Sequence, residues 1–509
     1  MPVKPPTTDQ VLAIAGDLGM HLTRDDAGAF QQVLKDLALS YDRLDDYVEP
    51  KLPVKYPRML GYQPTTDEDP LNAWYWKSTV KGADKGPLAG RTFALKDNTC
   101  LAGVPMMFGS RLLEGFVPDI DATVATRILD AGGTILGKAA CVDFCYEGNG
   151  QDAPRGGRNP WKPTHGAGGS SCGSAALVAS NQVDMSLGGD QAGSIRIPAS
   201  WCGVYGLKPT HGLVPYTGII GNDMTLDTVG PMANSVEDVA VLLGVIAGAD
   251  GYDPRQINCR VDDYLTSLER GVRGMKIGLL KEGFGHQRGQ LGASEPVVDQ
   301  KVTAAATVFS KLGAEVREIS MPMHRDALSF WLGVGIEGST HSLLRGNTVN
   351  SNWQGYYNTT LVDRYAASWR ANPDGFPDAV KLAIFMGEHM QRQYHGHYYA
   401  KAQNLRRLLR GAYDNALEGC DLLLLPTTPM RSQPIPPRNQ TLEQYFFEGW
   451  QMLGNTCATS LTGHPAMNVP CAVADGLPIG MMLVGRMWDE ATVLRAARAF
   501  ETAGDWKKA

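Results

Sequence analysis

The chain has 509 residues, 43% of them hydrophobic and 20% charged, with a formal net charge of −6. That length exceeds one ordinary core and predicts two or three domains, or one large α/β domain with additions. The mild acidic balance argues against a nucleic-acid surface, which would carry a basic surplus or stripe, and apolar runs such as "VAVLLGVIAGA" are too short to span a bilayer.

The first ten residues, "MPVKPPTTDQ", have no apolar core behind their lysine, so no secretory signal is expected. Thr23 is an N-cap candidate. Beyond it Phe30, Val33, Leu34, Leu37, Tyr41 and Leu44 recur on one face of an amphipathic helix. A proline-marked stretch and the linker-like "KGADKGPLAG" then close a helical N-terminal domain at about residue 85. From there strands and helices alternate. "RTFALK", "GTILGK", "MKIGLLK" and "AEVREISM" read as strands, and "ATVATRILDAG", "SAALVAS", "VEDVAVLLGVIAG" and "EPVVDQKVTAAATVFSKLG" as helices. This pattern predicts an α/β sheet covered on both faces. Strand signals vanish between about Asp326 and Cys420, which predicts an inserted, mainly helical segment. They return at "DLLLLP" and "IGMMLVGR", ahead of a last helix, "DEATVLRAARAFETAG". The nine cysteines are scattered without a C-x-x-C pair, as expected of free thiols in a reducing cytoplasm.

Glycine and serine crowd Gly166–Ser200, "GAGGSSCGSAALVASNQVDMSLGGDQAGSIRIPAS". No phosphate loop fits: no lysine follows the glycines, and no strand precedes them. His389, His395 and His397 match no helical metal-ligand spacing, so a solvated helix face is the expectation and no metal is predicted. A serine nucleophile needs a base. Ser170, Ser171, Ser174 and Ser194 are candidates for the nucleophile, and His165, His211, Lys96, Lys138 and Lys208 for the base. Lys96 and Lys138 each end an apolar strand, where a lysine is costly unless paired or functional.

The segments "ALKDN", "GGSSCGSAALV" and "GGDQAGSIRIPASWCGVYGLKPT", in this order, with "LTGHPAMNVP" and "GLPIGMMLVGR" near the C-terminus, resemble the amidase signature family. Within it, "DPLNAWYWKS", "VPMMFGSRLLEGF", "GLVPYTG" and "KEGFGH" are similar to the bacterial amidases found beside nitrile hydratases. The resemblance implies an amidase signature α/β fold: a mixed β-sheet core flanked by helices (86–295 and 421–509), with an N-terminal α-helical domain (1–85) that dimerises and an inserted small domain (296–420). It implies a Ser-cisSer-Lys triad in which Lys96 is the base, Ser170 the relay after a cis peptide bond and Ser194 the nucleophile. Lys138, His165 and His211 then have no catalytic role. Backbone N–H groups of Gln191, Ala192, Gly193 and Ser194 would form the oxyanion hole. Ser171, Asp190 and Arg196 would support the site.

Pocket walls are expected from Phe144, Cys145 and Tyr146, from Trp331, and from Asn455, Thr456 and Cys457. The chain departs from the family pattern at Cys172, expected to be a buried inert thiol, and at Ala192, which requires a negative φ or tolerated strain. The implied activity is hydrolysis of carboxamides to acid and ammonia or amine, without a cofactor, in a soluble cytoplasmic homodimer that binds neither nucleic acid nor membrane. The alternatives are the same triad acting on aryl acylamides, carbamates (urethanes) or acylhydrazides, or the A subunit of a tRNA-dependent amidotransferase.

Overall fold

The computed structural model describes residues 3–149, 156–287, 292–349, 353–437 and 439–509. They form two compact units, 1–53 and 54–509. The first consists of helices Thr8–Asp17 and Arg24–Asp45. Each begins with a capping box: Thr7 pairs reciprocally with Gln10, and Thr23 with Asp26. The stripe Phe30, Val33, Leu37, Tyr41 and Leu44 is exposed along the longer helix. The dividing line falls at Pro53 rather than near residue 85, because Trp74–Lys81 is a strand hydrogen-bonded into the sheet of the second unit.

That unit is built on one eleven-stranded mixed sheet. In chain order its strands are β1 (Trp74–Lys81), β2 (Thr92–Lys96), β3 (Thr134–Ala139), β4 (Met185–Asp190), β5 (Tyr205–Lys208), β6 (Thr228–Ala233), β7 (Lys276–Leu280), β8 (Glu315–Ile319), β9 (Leu422–Pro426), β10 (Ala466–Ala474) and β11 (Leu477–Val484). Their spatial order is β1-β3-β2-β4-β6-β5-β10-β11-β9-β7-β8. The pairs β2/β3, β2/β4, β7/β8 and β7/β9 are parallel, and the remaining pairs antiparallel.

Apolar layers cover the sheet. One gathers side chains from helices Thr123–Asp130, Val236–Ile246, Pro296–Lys311 and Glu490–Ala503. Others gather them from Cys172–Ala179, Arg196–Cys202, Ala327–Leu344 and His397–Glu418. Burying each such Val, Leu, Ile or Phe contributes about 1.5–3 kcal/mol. The segment 296–420 starts inside this architecture, since helix Pro296–Lys311 packs on the sheet and β8 is its edge. Among the described residues, helices run without a strand only from Pro322 to Glu418.

Candidate active site

Strands β2 and β4 lie side by side and parallel, with Leu95 opposite Leu187, so both release the chain at the same edge of the sheet. There β2 delivers Lys96 and β4 delivers the loop Gln191–Ile195. The segment leading into helix Cys172–Ala179 reaches the same edge. Its Gly169–Ser170 peptide is cis. Lys96 Nζ donates to Ser170 Oγ at 2.7 Å and to the Gly189 carbonyl at 3.2 Å, with both side chains fully buried.

The other candidate bases are elsewhere. Lys138 is opposite Leu95 in register, so its side chain leaves the face of the sheet opposite to that of Lys96. It donates to the Thr99 carbonyl and faces Asp97 at 3.7 Å. Lys208 donates to the Pro209 carbonyl at 2.9 Å. His165 contacts Thr164, and His211 bonds the Met224 carbonyl. Burial, then Arg255 and Arg406, push His211 down to about 3.

The loop after β4 has its carbonyls tied down one by one. The Trp331 indole N–H donates to the Gln191 carbonyl (2.9 Å), Thr456 Oγ1 to that of Ala192 (2.5 Å), the Ile197 N–H to that of Gly193 (2.7 Å) and the Ser171 N–H to that of Ser194 (3.3 Å). In a planar trans peptide the N–H of the next residue points away from the carbonyl. The Ala192, Gly193 and Ser194 N–H groups are therefore turned away from these tethers. Among the described residues, none of the N–H groups of 191–194 has a hydrogen-bond acceptor. Gly193 makes the bend with φ +142°, and a Cβ there would meet Thr456 Oγ1 at 2.3 Å. Ala192 is not among the described residues with positive φ.

Asp190 and Arg196 bracket this loop as a fully buried, bidentate pair: Nε to Oδ2 at 3.0 Å and Nη2 to Oδ1 at 2.9 Å. Burial alone would raise the Asp190 carboxyl. The guanidinium outweighs it and holds the group below its ordinary value. Arg196 also reaches Thr459 and Ser460, and Asp190 accepts the Ile195 N–H, so every polar contact of the pair faces protein rather than the cavity. Ser171 Oγ donates to the Gly189 carbonyl. Ser174 bonds the Leu187 carbonyl in β4. Cys172 is fully buried, which pushes its thiol up to about 11.

Ser194 opens on a cavity of about 510 Å³. Of the expected wall residues, Cys145, Tyr146 and Trp331 line it. Phe144, Asn455, Thr456 and Cys457 stand behind the wall. The Phe144 ring is fully buried among Phe108, Tyr365 and Phe376. Asn455 ties the Gly283 and Pro426 carbonyls to His286 and His324. Thr456 holds the Ala192 carbonyl, and Cys457 is buried in the core.

Sequence reading missed Leu226, Trp450 and Leu453, which complete the apolar wall, and Asp223 and Ser339, which add polar groups. Asp223 lies in "GNDMTLD", beyond the glycine-serine stretch that ends at Ser200. Trp450 ends a helix whose own pattern gives no sign of a cavity. Of the three histidines tested as metal ligands, His389 and His397 pack against Tyr394 and Tyr398, and His395 caps a helix in the left-handed conformation. No group of three His, Cys, Asp or Glu side chains among the described residues is placed to hold a metal. No helix among them is long and apolar enough to cross a membrane.

A family model described as Amidase matches residues 65–494, a span that contains every element of this edge. The chain belongs to the amidase signature family. It is 41% identical over 505 residues to the enantioselective amidase of Rhodococcus rhodochrous, covering 98% of this chain and 96% of that protein. It is 38% identical over 433 residues to the A subunit of the glutamyl-tRNA(Gln) amidotransferase of Methanosarcina acetivorans, covering 84% of this chain and 87% of that protein. The crystal structure of the native peptide amidase from Stenotrophomonas maltophilia superposes with a TM-score of 0.67 at 32% identity, covering 82% of this chain and 83% of that one.

Proposed function

We propose that this member of the family is an amidase that hydrolyses carboxamides to a carboxylate and ammonia or amine through an acyl ester on Ser194. The observation that carries the reading is the Lys96–Ser170 hydrogen bond at the edge of a cavity that also holds Ser194 and a row of unbonded backbone N–H groups. Ser194 Oγ attacks the amide carbon. Its proton passes to Ser170, and the Ser170 proton to Lys96 Nζ. The oxyanion is held by N–H groups of the 191–194 loop, already in place because their carbonyls are tethered. Collapse expels the amine, which takes the proton back through Ser170. Water then attacks the ester along the same relay, returning Ser194 and the carboxylate.

The cavity supports apolar, uncharged substrates. Leu226, Trp331, Trp450 and Leu453 make its wall, its carboxylates are Glu147 and Asp223, and no lysine or arginine is among the described lining residues. A glutamine donor, which an amidotransferase would use, carries an α-carboxylate for which the described lining offers no cation. Amide, anilide, carbamate and hydrazide bonds all fit the same relay. Benzamide, acetanilide, a phenylcarbamate and benzoylhydrazide assayed side by side with the purified chain rank them. Fluorophosphonate labelling tests the nucleophile: wild type should label and Ser194→Ala should not. Labelling or normal turnover by Ser194→Ala would remove Ser194 from the mechanism.

The exposed stripe on helix Arg24–Asp45 supports a homodimer, since five large apolar side chains at helical spacing call for a cover. Sedimentation should give a dimer for the wild type and a monomer for Leu37→Glu with Tyr41→Glu. A wild-type monomer at micromolar concentration would refute it. The nine unpaired cysteines support a reducing compartment, the cytoplasm.

A further inference from the structure

The turn that follows β3 places two thiols at the relay. Ala139, the last residue of β3, is opposite Lys96. The chain then passes through Cys141 into the single turn Asp143–Cys145. That turn is fastened to the relay serine: the Val142 N–H donates to the Ser170 carbonyl at 3.1 Å, and the Cys145 N–H to the Val142 carbonyl at 2.9 Å. Phe144 and Cys145 both have positive φ, 49° and 58°. This backbone costs residues with a Cβ about 1–2 kcal/mol each. The Phe144 ring, locked against Phe108, Tyr365 and Phe376, holds the turn in it. As a result the Cys145 thiol lies against Lys96, Ser170 and the Cys141 thiol at once. Cys145 also lines the cavity beside Ser194, while Cys141 is buried behind it.

The two sulfurs differ in character. Burial would raise the Cys145 thiol, but hydrogen bonding from Cys141, the charge of Lys96 and the Ser170 hydroxyl outweigh it and hold it below the ordinary cysteine value. Cys141 is pushed up, by burial and by donating to Cys145. The Cys145 sulfur thus faces the cavity, and the Cys141 thiol is buried behind it and against it. A redox-sensing pair needs this division between an attacking and a resolving cysteine. The mechanism proposed for amide hydrolysis uses neither.

We propose that Cys145 is an oxidation site for hydrogen peroxide, that Cys141 resolves it into a Cys141–Cys145 disulfide, and that the disulfide shuts off the amidase. In the first step the Cys145 thiolate attacks one peroxide oxygen and the O–O bond breaks. The sulfur is oxidised by two electrons to sulfenic acid, and the leaving hydroxide takes a proton to become water. In the second step Cys141 sulfur attacks Cys145 sulfur and loses its proton, and the sulfenic oxygen departs as water. The disulfide replaces the Cys145 thiol that lies against Lys96 and Ser170, and it locks the turn that holds the Ser170 carbonyl. A dithiol reverses the bond by exchange.

Trypsin cleaves after Lys138 and Arg155, so both thiols fall in one peptide. The full-length enzyme, reduced and freed of reductant, is treated with hydrogen peroxide, mapped by mass spectrometry after alkylation, and assayed in parallel. The expected peptide is lighter by two hydrogens and takes no alkyl group. Activity should be lost and return with dithiothreitol. Cys141→Ala should instead carry added oxygen on Cys145, and after long exposure dithiothreitol should no longer restore it. In Cys145→Ser, Cys141 should remain an alkylatable thiol. The proposal is overturned if the wild-type peptide keeps two alkylatable thiols, if the disulfide forms with activity intact, or if activity is lost and dithiothreitol does not restore it, as methionine oxidation would give. The activity arm rests on the amide-hydrolysis reading, whereas the peptide map does not. A disulfide in a chain that never hydrolysed an amide would refute that reading and leave the oxidation site standing.

Discussion

Replacing Thr456 with valine tests the 191–194 loop, proposed to hold the oxyanion, through one of its carbonyl tethers. Thr456 does not line the cavity, and its hydroxyl donates to the Ala192 carbonyl at 2.5 Å from a fully buried position. Valine keeps the shape and deletes the donor. The Ala192 carbonyl would then be buried without that partner, at a cost of about 1–3 kcal/mol. The peptide can recover part of it by rotating, and any rotation swings the Gly193 N–H off the position where the oxyanion forms. Complete loss of one oxyanion donor costs about 2.7–4 kcal/mol, or roughly 10²–10³ in kcat. Partial misalignment should cost about 1.4–2.7 kcal/mol, a fall of about 10- to 100-fold in kcat. KM should move little, because the N–H groups act on charge that develops only in the transition state. Steady-state ammonia release from benzamide separates the two constants, and a thermal melt records the stability cost. A lowered melting temperature with unchanged kcat would refute the reasoning: Thr456 would then be structural, and the loop N–H groups would not be the oxyanion donors.

Asp190→Asn leaves the Arg196 guanidinium buried without its counter-charge. It should destabilise the fold by about 3–5 kcal/mol, measured by urea denaturation, and a variant as stable as wild type would refute the bracing role. Asp227 is raised by burial, against the pull of Arg255, from 3.8 to about 7. The folded protein therefore keeps a proton that the unfolded chain releases between these values, so this group makes folding less favourable as pH rises through that window. Asp227→Asn abolishes that slope. Its urea midpoint relative to wild type should climb from about pH 4 to about pH 7 and then level off, and a difference constant across that range would count against the raised carboxyl.

Much of the scaffold is legible in local pattern. Apolar runs such as "TFALK", "TILGK" and "LLLLP" became β2, β3 and β9, and the four helices read between residues 120 and 315 formed, three within the stretches read and the one at "SAALVAS" starting two residues earlier, at Cys172. The strands that escaped notice have reasons to. β4, "MSLGGD", carries glycines near its C-terminal end, and β5 is only four residues long. β1 was hidden in a region that read as extended and loop-like, so its membership of the sheet depended on finding β3 as a partner. The exposed stripe on helix Arg24–Asp45 was visible as periodicity, but a period of 3.6 only says that one face is apolar, not what covers it.

By itself the sequence determined the alternation of elements, the two glycine-serine clusters and the short list of serines and bases, because periodicity and side-chain size act over a few neighbouring residues. Tertiary structure placed them relative to one another. Parallel pairing of β2 with β4 brings Lys96 and the 191–194 loop to one edge. Register separates the two strand-end lysines: Lys138 is aligned with Leu95 and so leaves the opposite face from Lys96, a difference of one residue that no local pattern encodes. The same holds for Trp331 and Thr456, which approach the oxyanion loop from 140 and 264 residues away to fix its carbonyls. For Cys145, a thiol like eight others in the chain, strand register, a left-handed turn and an aromatic clamp place it against Lys96 and Ser170.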